Sequence, residues 1–124
     1  MAIVVRAARP EDYRSLQRIF RRASLSNPGD RAALLAHPEV LRLDPNLIGR
    51  GRTRVATVSD TAVIGFASTS ISSDGVLELD DLFVDPDWRR HGVARQLVQR
   101  IAAEAAEEHV ERLEVVANAA RPQR

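Results

Sequence analysis

The hexapeptide Arg89-Arg90-His91-Gly92-Val93-Ala94 is a candidate phosphate cradle, because an apolar strand pattern leads into it and an amphipathic helix pattern leaves it. Backbone N–H groups in the first turn of a helix have no intrahelical partner and sit at the positive end of the helix dipole. A loop of small residues there can wrap a diphosphate. Gly92 and Ala94 keep side chains clear of that surface. Arg89 and Arg90 can bind phosphate bidentately, although arginine is also the ordinary surface cation of this sequence. His91 is expected to contribute its backbone N–H rather than imidazole chemistry. Upstream stand three carboxylates within four positions, Glu78, Asp80 and Asp81. Acids so placed serve as a proton acceptor, as an attractor for a cationic amine, or as a solvated face. A carboxylate that takes a proton near neutrality needs its proton affinity raised, and burial beside like charges does that.

The elements that must position these residues can be read from the flanks. Val76 to Val84 alternates apolar and acidic residues and then becomes continuously apolar, as a strand does when it passes into a buried setting; Asp85-Pro86-Asp87 ends it. Strict alternation puts Glu78 and Asp80 on one face and Asp81 on the other, unless a bulge intervenes. Downstream, Val93, Leu97, Val98, Ile101 and Ala105 recur at helical spacing, with Arg95, Gln99, Arg100, Glu104 and Glu107 opposite. Earlier in the chain, Ile3-Val4-Val5 predicts a short strand, and Arg9-Pro10-Glu11-Asp12 opens a helix whose buried stripe is Leu16, Ile19, Phe20 and Ala23. Asn27-Pro28-Gly29-Asp30 breaks the chain before a second helical pattern that runs to Pro38. No pattern assigns the stretch from His37 to Arg52. Two strands, Val55 to Ser59 and Val63 to Ile71, joined by a turn at Asp60-Thr61, then form a meander with the acidic strand. Leu113 to Ala117 reads as a fifth strand, parallel to its predecessor through the helical crossover.

The run Leu82-Phe83-Val84-Asp85-Pro86-Asp87-Trp88-Arg89-Arg90-His91-Gly92-Val93-Ala94 resembles the acyl-coenzyme-A motif of the GNAT superfamily of N-acetyltransferases, Arg/Gln-x-x-Gly-x-Gly/Ala. The resemblance covers nearly the whole chain, since the order strand, two helices, three strands, helix, strand is the GNAT order. It implies one α/β (α+β) domain over 1–124: a mixed, mostly antiparallel sheet with a parallel pair at the cofactor cleft, flanked by helices. By position, it implies that the backbone of Leu82, Phe83 and Val84 pairs with the pantetheine amides of acetyl-CoA, and that the Leu82 or Phe83 N–H polarises the thioester carbonyl. It places Arg89, Arg90, His91, Gly92, Val93 and Ala94 at the diphosphate, and Asn118 at the cofactor arm, where a turn or helix-cap role is the alternative. It further implies Glu78 as a general base acting through water, with Asp80 and Asp81 beside it.

The family usually continues with a helix carrying a Phe-Tyr pair and then a hairpin with Gly-Phe, and neither has a counterpart in this sequence. The tyrosine that commonly protonates the thiolate is then missing, and with a thiol pKa near ~8.5 water can supply that proton. The short C-terminus implies an exposed sheet edge and hence a homodimer.

Composition sets the outer limits. The chain has 124 residues with 44% hydrophobic content, enough for one core. The formal net charge of +1, with 18 basic residues that are all arginine, argues against broad nucleic-acid binding. There is no cysteine, so no disulfide, thiolate metal site or cysteine nucleophile is available. No apolar run approaches membrane-span length and no leader is evident, so a cytoplasmic protein is expected, with no metal. The leading expectation is acetyl transfer from acetyl-CoA to a primary amine, such as a polyamine, aminoglycoside, amino acid or peptide N-terminus, within a ternary complex. The alternative is a non-catalytic acyl-CoA-binding or regulatory module.

Overall fold

A computed structural model describes residues 2–59 and 62–108 and the backbone of 113–115. Five strands lie in one sheet in chain order: β1 (Val4–Ala7), β2 (Thr53–Thr57), β3 (Val63–Ile71), β4 (Leu77–Val84) and β5 (Leu113–Val115). The first four pair antiparallel, and Leu77 to Leu79 of β4 pair parallel with Leu113 to Val115. Helices α1 (Tyr13–Leu25) and α2 (Pro28–Ala36) follow β1, and α3 (Val93–Glu107) links β4 to β5. The order and kinds of element thus agree with the mixed α/β arrangement that the resemblance implied.

Two cores form, one on each face of the sheet. Strand alternation sends Val55, Phe66 and Phe83 to one face, where Leu16 and Ile19 of α1 bury completely against them. Phe83 meets Phe20 edge-on at 5.0 Å and Phe66 at 5.6 Å, which fixes α1 over the middle of β3 and β4. Ala56, Ala67, Leu77 and Leu79 face the other way and pack against Val93, Leu97, Ile101 and Ala105, one stripe of α3. Helix α3 can lie this close because β3 carries Gly65 beneath it. A Cβ there would stand 2.9 Å from Val93 Cγ1 and 3.1 Å from the Phe83 carbonyl oxygen. The far end of α3 is tied to the sheet by Arg54, whose Nε donates to both Glu104 oxygens at 2.9 and 3.0 Å. Arg100 donates to the Val5 carbonyl at 2.8 Å.

The stretch without a sequence pattern holds two single 3-10 turns, Pro38–Leu41 and Ile48–Arg50. Side chains of α1 serve its backbone: Gln17 donates to the Leu41 carbonyl at 2.6 Å and accepts from the Leu43 N–H at 2.7 Å, and the Tyr13 hydroxyl donates to the Leu43 carbonyl. Strand β2 begins at Thr53, two residues before the expected start. The expected Asp60-Thr61 turn lies outside the described residues. Among the described residues no helix is long and apolar enough to cross a membrane.

Candidate functional site

The acidic part of β4 does not follow simple alternation. Ser70 pairs with Glu78, Thr69 with Leu79 and Ser68 with Asp81, so Asp80 is an extra residue in a β-bulge. Residues directly opposite on paired strands share a face. The bulge therefore returns Asp81 to the face of Glu78, Ser70 and Ser68, on the α1 side of the sheet, and leaves Asp80 exposed. The Ser68 hydroxyl, 1% exposed, donates to Asp81 Oδ2. Across β2 the register continues to Thr53, whose buried Oγ1 has no partner among the described residues. Sequence reasoning missed Ser68, because a serine within a strand carries no local signal of what its hydroxyl meets.

After β4 the chain turns through Pro86–Trp88, a single 3-10 turn capped by Asp85, whose carboxylate accepts from the Asp87 N–H at 2.9 Å. Arg22 of α1 locks this turn in place. Its Nη1 lies 2.9 Å from both oxygens of the buried Asp85, and its Nη2 lies 3.1 Å from Asp87. The two aspartates hold the Arg22 guanidinium above the ordinary arginine range, Asp87 chiefly by its hydrogen bond and Asp85 chiefly by its charge.

The loop that follows reverses direction with two left-handed residues, Arg90 at φ 65° and Gly92 at φ 78°. Gly92 is suited to that conformation; Arg90 is an uncommon residue for it, and such strain persists where surrounding structure holds it. Gly92 is the N-cap of α3 and supplies no side-chain cap, and Gln96 N–H bonds to the Gly92 carbonyl at 3.0 Å. The N–H groups of Val93, Ala94 and Arg95 in the first turn consequently point out of the helix end. Among the described residues, its two chain neighbours aside, no atom lies within 4 Å of the space where a Gly92 Cβ would stand. His91 uses its imidazole locally: Nδ1 lies 2.8 Å from the Arg89 carbonyl, which can only accept, so Nδ1 carries the proton. The ring lies 5.1 Å from that of Trp88. Arg89 reaches back to the C-cap of α1, where Nη2 donates to Ser26 Oγ.

A cavity of about 460 Å³ opens between α1, α2 and β4. Leu82, Phe83, Val84 and Arg89 form one wall, so four of the expected donor-binding residues meet there. Phe20 and Ala23 of α1, and Ala33 and Leu34 of α2, form the facing wall. Glu78, Asp80 and Asp81 do not line it; its one carboxylate among the described residues is Asp30, in the first turn of α2. Asn118 lies outside the described residues.

The family model described as acetyltransferase (GNAT) family matches residues 13–122. No curated protein sequence matches the chain. Among solved structures, the fold is similar to the paia N-acetyltransferase from Thermoplasma acidophilum in complex with coenzyme A, at 17% identity and a TM-score of 0.70, covering 89% of this chain and 76% of that one. It is similar to the ribosomal-protein-S18-alanine N-acetyltransferase from Escherichia coli at 20% identity and a TM-score of 0.66, covering 96% and 71%. The apo form of YjaB from Escherichia coli is 28% identical with a TM-score of 0.65, covering 86% of this chain and 68% of that one. With the family model spanning the helix-capping loop, both faces of the sheet and nearly the whole length, the chain belongs to the GNAT family of acetyltransferases.

Proposed function

We propose that this chain catalyses transfer of an acetyl group from acetyl-CoA to a primary amine, by direct attack within a ternary complex. The observation that carries the reading is the start of α3: an uncapped helix terminus, reached through left-handed Arg90 and Gly92, with open space at Gly92. A diphosphate fits such a terminus, since it accepts hydrogen bonds from the unpaired N–H groups and lies at the positive end of the dipole. The Thermoplasma acidophilum structure of similar fold holds coenzyme A. In this chain the groups for that role are the backbone of His91, Gly92, Val93 and Ala94, with the guanidinium groups of Arg89 and Arg90.

Acetyl-CoA supplies the activated acetyl thioester. The backbone of Leu82 to Val84 orients the pantetheine arm, and the Leu82 or Phe83 N–H polarises the thioester carbonyl; both residues border the cavity through which an amine would approach. The amine must lose a proton to attack. Asp81, one residue from Leu82, is the nearest of the three acids along β4, and Ser68 fixes its orientation. Glu78 lies on the same face as Asp81, three ladder steps or roughly 10 Å from Leu82 at ~3.3 Å per step, so a proton reaches it only through water. Asp80 stands on the bulge and adds negative charge at the surface.

Calorimetric titration with acetyl-CoA tests the donor half of this reading. Saturable binding, weakened about tenfold or more in Arg89→Ala/Arg90→Ala, is expected, since each phosphate contact to a guanidinium contributes at the level of a charge-assisted hydrogen bond. Absence of binding by the folded chain would sink it. Glu78→Gln and Asp81→Asn, assayed for coenzyme A release with an amine acceptor, should lower kcat and leave acetyl-CoA affinity unchanged. An unchanged kcat in both would sink the assignment of these acids as the base, whereas acetyl-CoA binding with no coenzyme A release by the wild-type chain would support the non-catalytic acyl-CoA-binding module.

A further inference from the structure

We infer that the acceptor is a primary amine carried on an apolar body, with a single cationic centre matched by Asp30. The inference rests on the acetyl-transfer reading and names the acceptor class within it.

The cavity beside Leu82 to Val84, at about 460 Å³, has the size of a small-molecule site. Opposite β4 it is lined by Phe20 and Leu34 of α1 and α2 and by Val40 and Leu41 of the Pro38–Leu41 turn, with Ser24 and Asn27 as neutral polar groups and no second carboxylate among the described residues. Val40 is 51% exposed, so apolar surface at the site stands open to water and gains by being covered. A polyamine or an aminoglycoside would bring several ammonium groups against these walls, and an ammonium moved from water to an apolar wall without a partner is costly. One positive charge has one partner. Asp30 Oδ2 accepts from Asn27 Nδ2 at 2.9 Å, which holds the carboxylate in place and leaves its other oxygen to accept from a ligand. The acids of β4 stand outside this wall, so they do not enlarge its capacity for positive charge. The same cavity borders the backbone that would polarise the thioester. An alkylamine, an arylalkylamine, or a peptide N-terminus beginning with an apolar residue satisfies all three conditions.

The test begins with calorimetric titration of the full chain with acetyl-CoA, which examines the donor reading alone. Coenzyme A release is then measured with hexylamine, 2-phenylethylamine, a tripeptide amide starting with phenylalanine, and spermidine. The apolar acceptors should exceed spermidine in kcat/KM by about tenfold or more, the scale of discrimination an apolar pocket provides. The tripeptide arm separates a peptide acceptor from a free amine. Asp30→Asn should raise KM for 2-phenylethylamine about tenfold with acetyl-CoA affinity unchanged, whereas a purely structural role in the first turn of α2 would lower Tm and leave KM alone. Leu34→Asp, at a half-buried position that lines the cavity, should raise the same KM with Tm followed alongside. Preference for spermidine, or a Leu34→Asp loss confined to acetyl-CoA affinity, would overturn the acceptor assignment while the donor reading stands. No acetyl-CoA binding would overturn both.

Discussion

Replacing Gly65 with alanine tests whether the approach of α3 to the sheet sets the geometry of the loop. The new Cβ would stand 2.9 Å from Val93 Cγ1, 3.1 Å from the Phe83 carbonyl oxygen and 3.5 Å from Leu97 Cδ1. Val93 and Leu97 are 1% and 0% exposed, so neither has free volume to retreat into, and the carbonyl belongs to the paired backbone of β4. Overpacking of this kind costs about 1–3 kcal/mol. Loss of glycine's freedom in the unfolded chain returns about 0.4–1 kcal/mol. At the midpoints of these ranges the net is a destabilisation of about 1.3 kcal/mol, or a fall of roughly 4–8 °C in Tm for a domain of this size. Val93 opens α3, so its displacement also moves the N–H groups proposed to hold the diphosphate, and acetyl-CoA affinity should fall with stability. A double-mutant cycle isolates the cause. Val93→Ala removes Cγ1, so Gly65→Ala/Val93→Ala should be more stable than the sum of the two single losses by about 1 kcal/mol. Thermal and denaturant unfolding of the four proteins measures this. A Gly65→Ala protein as stable as wild type, or strict additivity in the cycle, would refute the argument.

Two further predictions follow from single contacts. Asp12 is buried and accepts from Arg6 at 2.8 and 3.1 Å and from the Arg9 N–H at 2.7 Å. The Arg6 hydrogen bond, foremost, holds its carboxyl below the usual carboxylate range against the opposing effect of burial. Since the folded state binds this proton less readily than the unfolded one, the stabilisation is fully present above the unfolded pKa of about 3.9 and is lost as pH falls through the folded value. Denaturant midpoints followed from about pH 6 to about pH 3 should drop more steeply for wild type than for Asp12→Asn; parallel curves would contradict the assignment. Ser68→Ala removes the hydroxyl that orients Asp81 and leaves that acceptor short of a donor, at about 1–3 kcal/mol of stability. Its kcat should fall and its acetyl-CoA affinity hold, whereas a loss of stability alone, with kcat intact, would make Ser68 a structural residue.

The parts of this site that sequence made legible are those fixed by periodicity and punctuation. Helix α3 shows its buried stripe at Val93, Leu97, Ile101 and Ala105 and begins where Gly92 breaks the backbone, so its position and the loop before it follow from local pattern. Strand β3 was bounded for the same reason. The Pro38–Leu41 and Ile48–Arg50 turns have no period, and the end of the first, at Leu41 and Leu43, is held by bonds with Tyr13 and Gln17 some 24–30 residues away, contacts that no local pattern encodes. The acids of β4 illustrate the same limit where it matters for chemistry. Alternation alone separates Glu78 from Asp81, yet one extra residue in the ladder brings them to one face, because a bulge shifts the phase of every side chain after it. That bulge is a property of the pairing of two strands rather than of either strand. Ser68, Arg22 and Asp30 were overlooked on similar grounds: each acts across a long separation in sequence or through a cavity that exists only once α1, α2 and β4 have packed. The donor side of the site is thus carried by backbone and local motif, while the acceptor side is made by tertiary contact, and it is on the acceptor side that the sequence expectations spread over four kinds of amine.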